Sequence, residues 1–198
     1  MTSVGHEGVK PPLLGVRRYV GRAMAPRVGS GVIGACLRTT GTRRGCLAST
    51  GVEPSFSVVP AEGLLPGGLG SLADHAEQEG IRIVSTLLER WRDGSERYQQ
   101  PGEAILAATS SGEAVGIGAL SQCPHVGNAL RVRRFYVAPT WRRQGVASAL
   151  ATELIAAGFE STDVITCNAR ASAAAAPFWE SLGFVPASAE GITHVRRR

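Results

Sequence analysis

The sequence predicts a mixed α/β fold, in which a central, mostly antiparallel sheet contains one parallel pair splayed at a bulge and is flanked by helices. Two apolar stretches at 104–109 and 114–120, joined by a short turn, have the composition of an antiparallel hairpin. A strand at 129–137, a helix at 145–158 and a strand at 164–168 follow in order, and a right-handed crossover makes these two strands parallel. The apolar alternation also shifts by one residue within the first of them, as at a β-bulge.

Charge and composition divide the chain into a basic extension at 1–52 and a domain at 53–198. The net charge is +5, but residues 1–52 carry +7 and residues 53–198 carry −2. The first segment is rich in Gly, Arg, Ser and Thr and has no helical or strand periodicity, so we expect little stable structure there. The apolar share of 43% is enough for the core of one domain. Because the folded part is nearly neutral, we do not expect nucleic acid as a partner.

Three motif-like matches in the extension have weak sequence context. Residues 29–34 fit G-x-G-x-x-G, but no strand precedes them. Residues 33–36 resemble a lipoprotein cleavage box, yet Arg22 and Arg27 interrupt the apolar stretch that should come before it. The segment is also Arg-rich and acid-poor, like an organelle transit peptide. We favour instead a disordered extension or an over-long predicted start of the reading frame.

Cysteine spacing and hydropathy bear on metal binding, on the cellular compartment and on membrane association. The cysteines are far apart and form no C-x-x-C pair, so we expect no metal site; they are Cys36, Cys46, Cys123 and Cys167. A reduced, cytoplasmic setting is the simpler expectation. The sequence has no run of about 18 apolar residues, so we expect no membrane partner. We expect a monomer or a homodimer.

The first half of the domain begins with a strand at 56–60 that ends in a proline. Helical patterns follow at 72–78 and 81–92, and the second is amphipathic, with apolar side chains at Ile83, Val84, Leu87, Leu88 and Trp91. In the hairpin that comes next, Gly116 and Gly118 leave one face of a strand bare. This predicts either a close backbone approach or a local twist.

The strand at 129–137 carries the alternation shift. Leu130 and Val132 lie on one face, and strict alternation would place Arg134 there next. A shift of one residue at Arg133-Arg134 instead returns Phe135 to that face, as a bulge does. Such a bulge separates the strand from its neighbour and opens a slot.

The loop after this strand has the features of an anion-binding helix start. The first turn of a helix leaves N–H groups unpaired and carries partial positive charge. Gly145 and Ala147 are small enough to let an anion approach the backbone, and Arg142 and Arg143 add charge. We expect the helix to end at Gly158 and to bury Val146, Leu150 and Leu154.

The C-terminal part predicts one more helix and two short strands. Ser172 is expected to cap a helix through Leu182, with a kink or a late start at Pro177. Short strands are expected at 184–185 and 192–195, and the final Arg196-Arg197-Arg198 is expected to be a solvated tail. A ligand is expected at the carboxyl ends of the parallel pair.

Three ordered motifs carry a family resemblance. Arg142-Arg143-Gln144-Gly145-Val146-Ala147 resembles the (Gln/Arg)-x-x-Gly-x-(Gly/Ala) loop of the GCN5-related N-acetyltransferases (GNAT). The strand Phe135-Tyr136-Val137 followed by Pro139 resembles the segment before that loop in the family. Asn168 and the stretch from Phe178 to Phe184 resemble the segments after it. The resemblance covers about residues 54–198.

The resemblance implies acetyl-CoA as cosubstrate and a place for each part of it. The pyrophosphate would bind Arg142 and Arg143 and the backbone N–H groups of Gln144, Gly145, Val146 and Ala147. The pantetheine arm would pair with Tyr136 and Val137 in the slot, with Asn168 on its other side. The N–H of Val137 would also stabilise the oxyanion that forms at the thioester carbonyl.

One departure from the family pattern concerns proton transfer. Trp179 occupies the position where the family often has a tyrosine that protonates the leaving thiolate, and an indole is not a usable acid. We therefore expect Trp179 to pack or to shape the pocket, and we assign no catalytic acid or base. A base relayed by water, or a residue such as Glu103, His125 or Tyr98, is left open.

The resemblance implies an N-acetyltransferase that moves an acetyl group from acetyl-CoA to a primary amine of an unidentified small molecule or protein. The alternative, suggested by Trp179, is a non-catalytic CoA-binding module with a regulatory or interaction role. Arg131 and Arg133 would favour an acidic acceptor if one of them lined its site, although we expect both to be exposed on the surface.

Overall fold

The computed structural model describes residues 15–20, 55–61 and 63–198, which form one eight-stranded sheet with helices on both faces. The strands are β1 Arg17–Val20, β2 Ser55–Pro60, β3 Ala104–Ser110, β4 Glu113–Gln122, β5 Leu130–Val137, β6 Val164–Cys167, β7 Val185–Ala189 and β8 Ile192–Arg197. The helices are α1 Leu69–Gln78, α2 Ile83–Asp93, α3 Val146–Ser161 and α4 Ala175–Ser181, and a 3-10 turn covers Pro139–Trp141.

The strand order is β1-β2-β3-β4-β5-β6-β8-β7, and β5 and β6 are parallel while the other neighbours are antiparallel. This confirms the predicted mixed sheet with one parallel pair. The hairpin of β3 and β4 is also confirmed, with Ser110 opposite Glu113 at its turn.

The sheet separates two apolar layers. Helices α1 and α2 cover one face, where the largest fully buried side chains include Leu72, Leu87 and Ile117. Helices α3 and α4 cover the other face, with a core that includes Leu130, Leu150, Leu154 and Trp179. Because side chains alternate along a regular strand, the residues of β5 before and after the bulge can each be assigned to one of these two layers.

The predicted bulge lies in β5. Ile117 pairs with Tyr136 and Ala119 pairs with Arg133, so Arg134 and Phe135 both face Gly118. Arg134 has a φ of 53°, the left-handed region that residue 1 of a bulge can adopt. The extra residue returns Phe135 to the layer of α3 and α4, as the shifted alternation predicted.

Gly118 provides the space that the displaced Phe135 needs. A Cβ atom on Gly118 would lie 2.8 Å from Cδ2 of Phe135 and 2.7 Å from Cδ1 of Leu154. The atoms that approach Gly118 belong to side chains of the core, so the space at this glycine is filled by side chains and not by the close backbone approach that was predicted as one alternative.

Helix α3 ends later than predicted, and helix α4 starts late, as predicted. Helix α3 continues past Gly158 to Ser161, so the predicted end at Gly158 is wrong. This glycine is buried, and a Cβ there would lie 2.8 Å from Ile165 Cδ1, so it permits close packing instead of ending the helix. Helix α4 begins at Ala175 with Pro177 in its first turn, which confirms the late start.

Part of the predicted N-terminal extension belongs to the sheet. Strand β1 pairs with β2, and the Tyr19 ring stacks on Phe56 at 5.3 Å. The Tyr19 hydroxyl donates to Glu153 Oε1 at 2.5 Å, and an Arg17 nitrogen lies 3.3 Å from the same oxygen. The expectation of little stable structure therefore does not hold for 17–20. The motif-like matches at 29–36 lie outside the described residues.

Two of the C-terminal arginines are also part of the sheet. The expectation of a solvated tail is wrong for Arg196, which is half-buried, whereas Arg197 is paired but exposed. Strand β8 extends to Arg197, and Arg196 pairs with Ile165 of β6. The Arg196 side chain donates to the carbonyl of Leu182 at 2.5 Å and lies over the ring of Phe159. Pairing with β6 and packing of the long side chain stabilise this end.

Candidate active site

The parallel pair opens into a slot beside the bulge. Strands β5 and β6 pair only through Leu130 with Ile165 and Arg131 with Thr166, although β5 continues to Val137. Beyond this point β5 keeps its pairing with β4 but has no partner on the β6 side among the described strands. The carboxyl ends of the two strands therefore lie apart, and the start of α3 follows from that end of β5.

The start of α3 presents unpaired backbone donors. Gly145 caps the helix with a φ of 84°, and the first helical bond runs from Ala149 N to Gly145 O at 2.9 Å. The N–H groups of residues 146–148 precede that bond, and no described side chain caps them. A Cβ on Gly145 would meet no described atom within 4 Å. Glycine is thus favoured there by its backbone angle, and the approach to the amides is open.

The loop before α3 is held in place by contacts of its own. Arg143 adopts a left-handed φ of 64°. The side chain of Gln144 turns back and donates to the carbonyl of Thr140 at 2.7 Å, while its Oε1 is buried without a partner among the described residues. The side chain of Gln144 therefore supports the loop, and its backbone lies at the helix start.

Arg142 ties this loop to the end of α1. Its guanidinium donates to both carboxylate oxygens of Glu79, at 2.7 and 2.5 Å, and its Nε donates to the carbonyl of Val137 at 3.1 Å. The Tyr136 hydroxyl donates to the same carboxylate at 2.8 Å. The hydrogen bonds from Arg142 and Tyr136 lower the pKa of Glu79. The charge of Arg142 is thus balanced inside the molecule.

Arg143 differs from Arg142 in its environment. It is exposed, and no ion pair among the described residues includes it. Of the two arginines predicted to meet a phosphate, Arg143 is the one without a counter-charge among the described residues. Arg142 positions the loop and orients the carbonyl of Val137.

The backbone of Val137 faces the slot. Ala138 N donates to Val115 O at 2.9 Å, so this pair is hydrogen-bonded. Hydrogen-bonded and non-hydrogen-bonded pairs alternate along an antiparallel ladder. The next pair, Gly116 with Val137, is therefore not hydrogen-bonded, and Val137 directs its N–H and carbonyl groups away from β4. Tyr136, opposite Ile117, directs its backbone groups back toward β4. Of the two residues predicted to pair with the pantetheine arm, Val137 offers its N–H on the slot side.

Asn168 stands on the opposite wall of the slot, just after β6. Its Nδ2 donates to Gly191 O at 3.3 Å, in the turn between β7 and β8, and its Oδ1 accepts from Arg170 N at 3.1 Å. The neighbouring Ala169 N donates to Thr193 Oγ1 at 2.8 Å. Asn168 therefore connects β6 to the final hairpin and is half-buried.

Trp179 is buried in an aromatic cluster between α4 and the bulge. Its ring lies 5.0 Å from Phe135, 5.0 Å from Phe178 and 5.2 Å from Phe184, each with an edge-to-face arrangement. Such pairs are favourable for aromatic rings. The side chain is 4% exposed, so it packs against the displaced Phe135, in agreement with the packing role that the sequence predicted.

A second charged cluster follows α2, on the sheet face opposite to Trp179. Glu96 accepts from Arg134 at 3.0 and 2.6 Å, from Arg90 at 3.1 Å and from the Tyr98 hydroxyl at 3.0 Å. A nitrogen of Arg133 lies 3.7 Å from it. Burial alone would raise the pKa of Glu96, but the hydrogen bonds and charges of its partners hold that pKa below its usual range.

Glu79 and Glu96 are site residues that sequence reasoning missed. Each carboxylate comes just after an amphipathic helix, and each meets an arginine of the β5 region. The available signal was Arg134 itself, because the bulge turns an arginine toward the layer of α1 and α2, where it needs a partner.

The three residues left open as a base lie at three different places in the structure. Glu103 accepts from Gln122 N at 3.2 Å, at the end of β4 far from Val137. Tyr98 is bound to Glu96. His125 lies against Gly191, where a Cβ would be 2.7 Å from its Nε2.

A cavity of about 520 Å³ lies at the amino end of β5, beside Leu130 and Val164, away from the slot.

Within residues 15–20, 55–61 and 63–198, no group of three or more His, Cys, Asp or Glu side chains is arranged to hold a metal ion. No helix in these ranges is both long and apolar enough to span a membrane.

Comparison with solved structures gives the same fold. A protein from Exiguobacterium sp. 255-15, described as an acetyltransferase, is 26% identical, with 72% of this chain and 93% of that chain covered and a TM-score of 0.65. An acetyltransferase from Streptococcus agalactiae 2603 is 16% identical, with 72% and 98% covered and a TM-score of 0.59. The GNAT domain of S. lividans PAT is 16% identical, with 72% and 90% covered and a TM-score of 0.51.

Sequence comparison identifies the family. No curated protein matches the chain. The family model of the acetyltransferase (GNAT) domain matches residues 72–196, which include the slot, the loop and the start of α3. The chain belongs to the GNAT acetyltransferase family.

Proposed function

We propose that the protein is an N-acetyltransferase that moves an acetyl group from acetyl-CoA to a primary amine. The observation that carries the proposal is the position of two sets of backbone donors at one end of β5. The free amides at the start of α3 suit a phosphate group. The N–H of Val137, directed into the slot, suits a developing oxyanion.

The residues of the loop fit the pyrophosphate of coenzyme A. Its oxygens would accept from the backbone N–H groups of Gln144, Gly145, Val146 and Ala147. Arg143 would add its unbalanced charge, while Arg142 would hold the loop through Glu79. The pantetheine arm would enter the slot beside Tyr136 and Val137, with Asn168 and the final hairpin as the opposite wall.

The proposed transfer is a direct attack by the amine. The amine nitrogen forms a bond to the thioester carbon, and the C–S bond then breaks. The N–H of Val137 stabilises the negative charge on the carbonyl oxygen between these events. The amine loses its proton to water and the thiolate takes one from water, so atoms and charge balance. Holding both substrates in one slot supplies much of the acceleration.

The carboxylates near the end of β5 are poor bases. The partners of Glu79 and Glu96 lower the pKa of each, so each carboxylate holds a proton weakly. Trp179 is buried among aromatic rings and supplies no acid. We therefore assign both proton transfers to solvent, and the rate should rise with pH until the acceptor amine is neutral.

Turnover by the full chain tests this function. Acetyl-CoA is mixed with a panel of primary amines, and free thiol and acetylated amine are measured together. The proposal expects equal amounts of both products. Tight CoA binding without thiol release from any amine would favour the non-catalytic CoA-binding module instead.

A further inference from the structure

Two arginines of β5 lie on the sheet face that α1 and α2 cover only in part. Arg133 pairs with Ala119, which is buried in the layer of those helices, so the Arg133 side chain is on that face. Arg131 is two residues earlier and pairs with Ser121, so it is on the same face. Both residues are half-buried, whereas the sequence led us to expect exposed side chains.

The charges in contact at Glu96 do not balance. Glu96 is a single carboxylate in contact with three guanidinium groups, those of Arg90, Arg133 and Arg134. Arg134 makes two hydrogen bonds to it, whereas Arg133 reaches it only at 3.7 Å and keeps 37% of its side chain exposed. Arg133 therefore has donors that a further anion could use.

Arg131 lacks a counter-charge within the described part of the molecule. No ion pair there includes it, and its Nε is buried without a hydrogen-bond partner. A buried guanidinium donor without a partner is unfavourable unless an anion binds it. Its terminal nitrogen lies against the turn at Gly191, whose carbonyl also binds Asn168. Arg131 thus faces the wall of the slot that Asn168 forms.

The charge of Arg131 also affects the pKa of a neighbouring thiol, that of Cys167. Burial raises the pKa of Cys167 to about 12, and the positive charge of Arg131 opposes that rise. Cys167 is the last residue of β6, directly before Asn168. The charge of Arg131 therefore acts at the carboxyl end of β6, where the slot opens.

The spacing along β5 suits a small acidic amine. Arg133 is four residues before Val137, which is at most about 13 Å along an extended strand. The arginine side chain covers part of that span, and an acceptor with its acid group a few bonds from its amine covers the remainder. Nearby positive charge also disfavours a protonated amine, which helps where no side chain serves as base.

We propose that the acceptor carries a carboxylate or a phosphate close to its amine, and that Arg131 and Arg133 bind this anionic group. The proposal rests on the proposed function and adds the class of acceptor to it. The two arginines act as specificity residues for the acceptor and leave the thioester end of the reaction to Val137.

Matched amines test the proposal with the full chain. One pair is β-alanine and β-alaninamide, and another is phosphoethanolamine and ethanolamine. A peptide with an N-terminal Ala-Asp-Asp and its Ala-Asn-Asn counterpart distinguish a free small molecule from a chain terminus. Each is assayed for kcat/KM with the wild type, Arg131→Gln and Arg133→Gln. Arg92→Gln is the control, because Arg92 is exposed on α2 and no described residue pairs with it.

We expect the wild type and Arg92→Gln to prefer the acidic member of at least one pair by tenfold or more. Arg131→Gln and Arg133→Gln should each reduce that preference several-fold, measured as the ratio of kcat/KM between the acidic and the neutral member of the same pair. Turnover of neutral and acidic amines at equal rates would overturn this inference while the proposed function stands.

A binding measurement decides the case in which no amine is acetylated, which would contradict the proposed function. Phosphoethanolamine is then titrated into the CoA-saturated wild type and the same variants by calorimetry. Binding that is weakened by Arg131→Gln but not by Arg92→Gln supports the anion site. Binding that is absent, or equal in all proteins, rejects it.

Discussion

The two ends of β5 differ in their strand partners and in the side chains that they carry. At its start, Leu130 and Val132 are buried, and β4 lies on one side and β6 on the other. At its end, from Arg133 to Val137, the strand bulges, separates from β6 and places Arg133 and Arg134 beside Glu96. One strand therefore combines a rigid anchor with an open site.

The difference depends on one extra residue. Arg134 at the bulge exchanges the faces of all residues after it, so Phe135 enters the aromatic layer and Val137 offers its N–H to the slot. A bulge disrupts the ladder, and contacts on both faces offset this cost. Glu96 holds Arg134 on one face, and Trp179 packs on Phe135 on the other.

The largest effect should come from removing the carboxylate under the bulge. Glu96→Gln leaves the nearly buried Arg134 without its counter-charge. We expect the free energy of unfolding at pH 7 to fall by about 3 kcal/mol, measured by urea denaturation. Glu89→Gln is the control, because Glu89 pairs with Arg82 at 3.5 Å on the surface, and it should change the value by less than about 0.5 kcal/mol. Equal losses in both variants would mean that the bulge needs no ion pair.

The same pair predicts how this loss depends on pH. The pKa of Glu96 is lower in the folded protein than in the unfolded chain, so the pair stabilises the fold fully above the unfolded pKa of about 4.3. That contribution is lost as the pH falls through the folded pKa. The difference in unfolding free energy between wild type and Glu96→Gln should be constant from pH 7 to about 5 and narrow below about 4. A difference that widened on acidification would contradict the assignment.

A medium effect should come from filling the space behind the bulge. In Gly118→Ala, the new Cβ would press on Phe135 and Leu154 at 2.8 and 2.7 Å. We expect a loss of about 2 kcal/mol in the free energy of unfolding. Gly127→Ala is the control, since a Cβ there meets no described atom within 4 Å. If both variants were equally stable, Phe135 would have room to move and the bulge would be less constrained than we describe.

The smallest effect should come from the far edge of the sheet, where no bulge is present. Tyr19→Phe removes the hydroxyl that donates to the buried Glu153. We expect a loss of about 1.5 kcal/mol in thermal or urea unfolding, because the carboxylate loses one partner and keeps Arg17. A chain that begins at residue 53 lacks both partners and should be less stable than the variant. An unchanged stability in both would place β1 outside the cooperative fold.

Much of this architecture was predictable, because local patterns determine it. The alternation shift at Arg133-Arg134 located the bulge, and strand-helix-strand order located the parallel pair. The glycine at 145 located the helix start. These features depend on residues that are neighbours in sequence. The side-chain period and the allowed backbone angles leave few possible conformations for such residues.

The features that could not be predicted depend on contacts between distant segments. Glu79 with Arg142 and Glu96 with Arg134 join residues 63 and 38 positions apart. Gly158 was predicted to end the helix, because the sequence alone does not distinguish a glycine that permits close packing from a glycine that ends a helix. Strand β1 was hidden, since four residues in a Gly- and Arg-rich segment show no periodicity until Glu153 and Phe56 are in place.

We propose that the start of α3 binds the pyrophosphate of coenzyme A, and the affinity of Gly145→Glu for CoA measures this. Gly112→Glu is the matched control, because Gly112 has a φ of 86° against 84° for Gly145, and a Cβ at either position meets no described atom within 4 Å. Both variants thus carry the same strain and the same added charge. Calorimetry with the full chain should show CoA binding lost in Gly145→Glu and kept in Gly112→Glu. Equal CoA affinity in the two variants and the wild type would mean that the start of α3 does not bind the pyrophosphate.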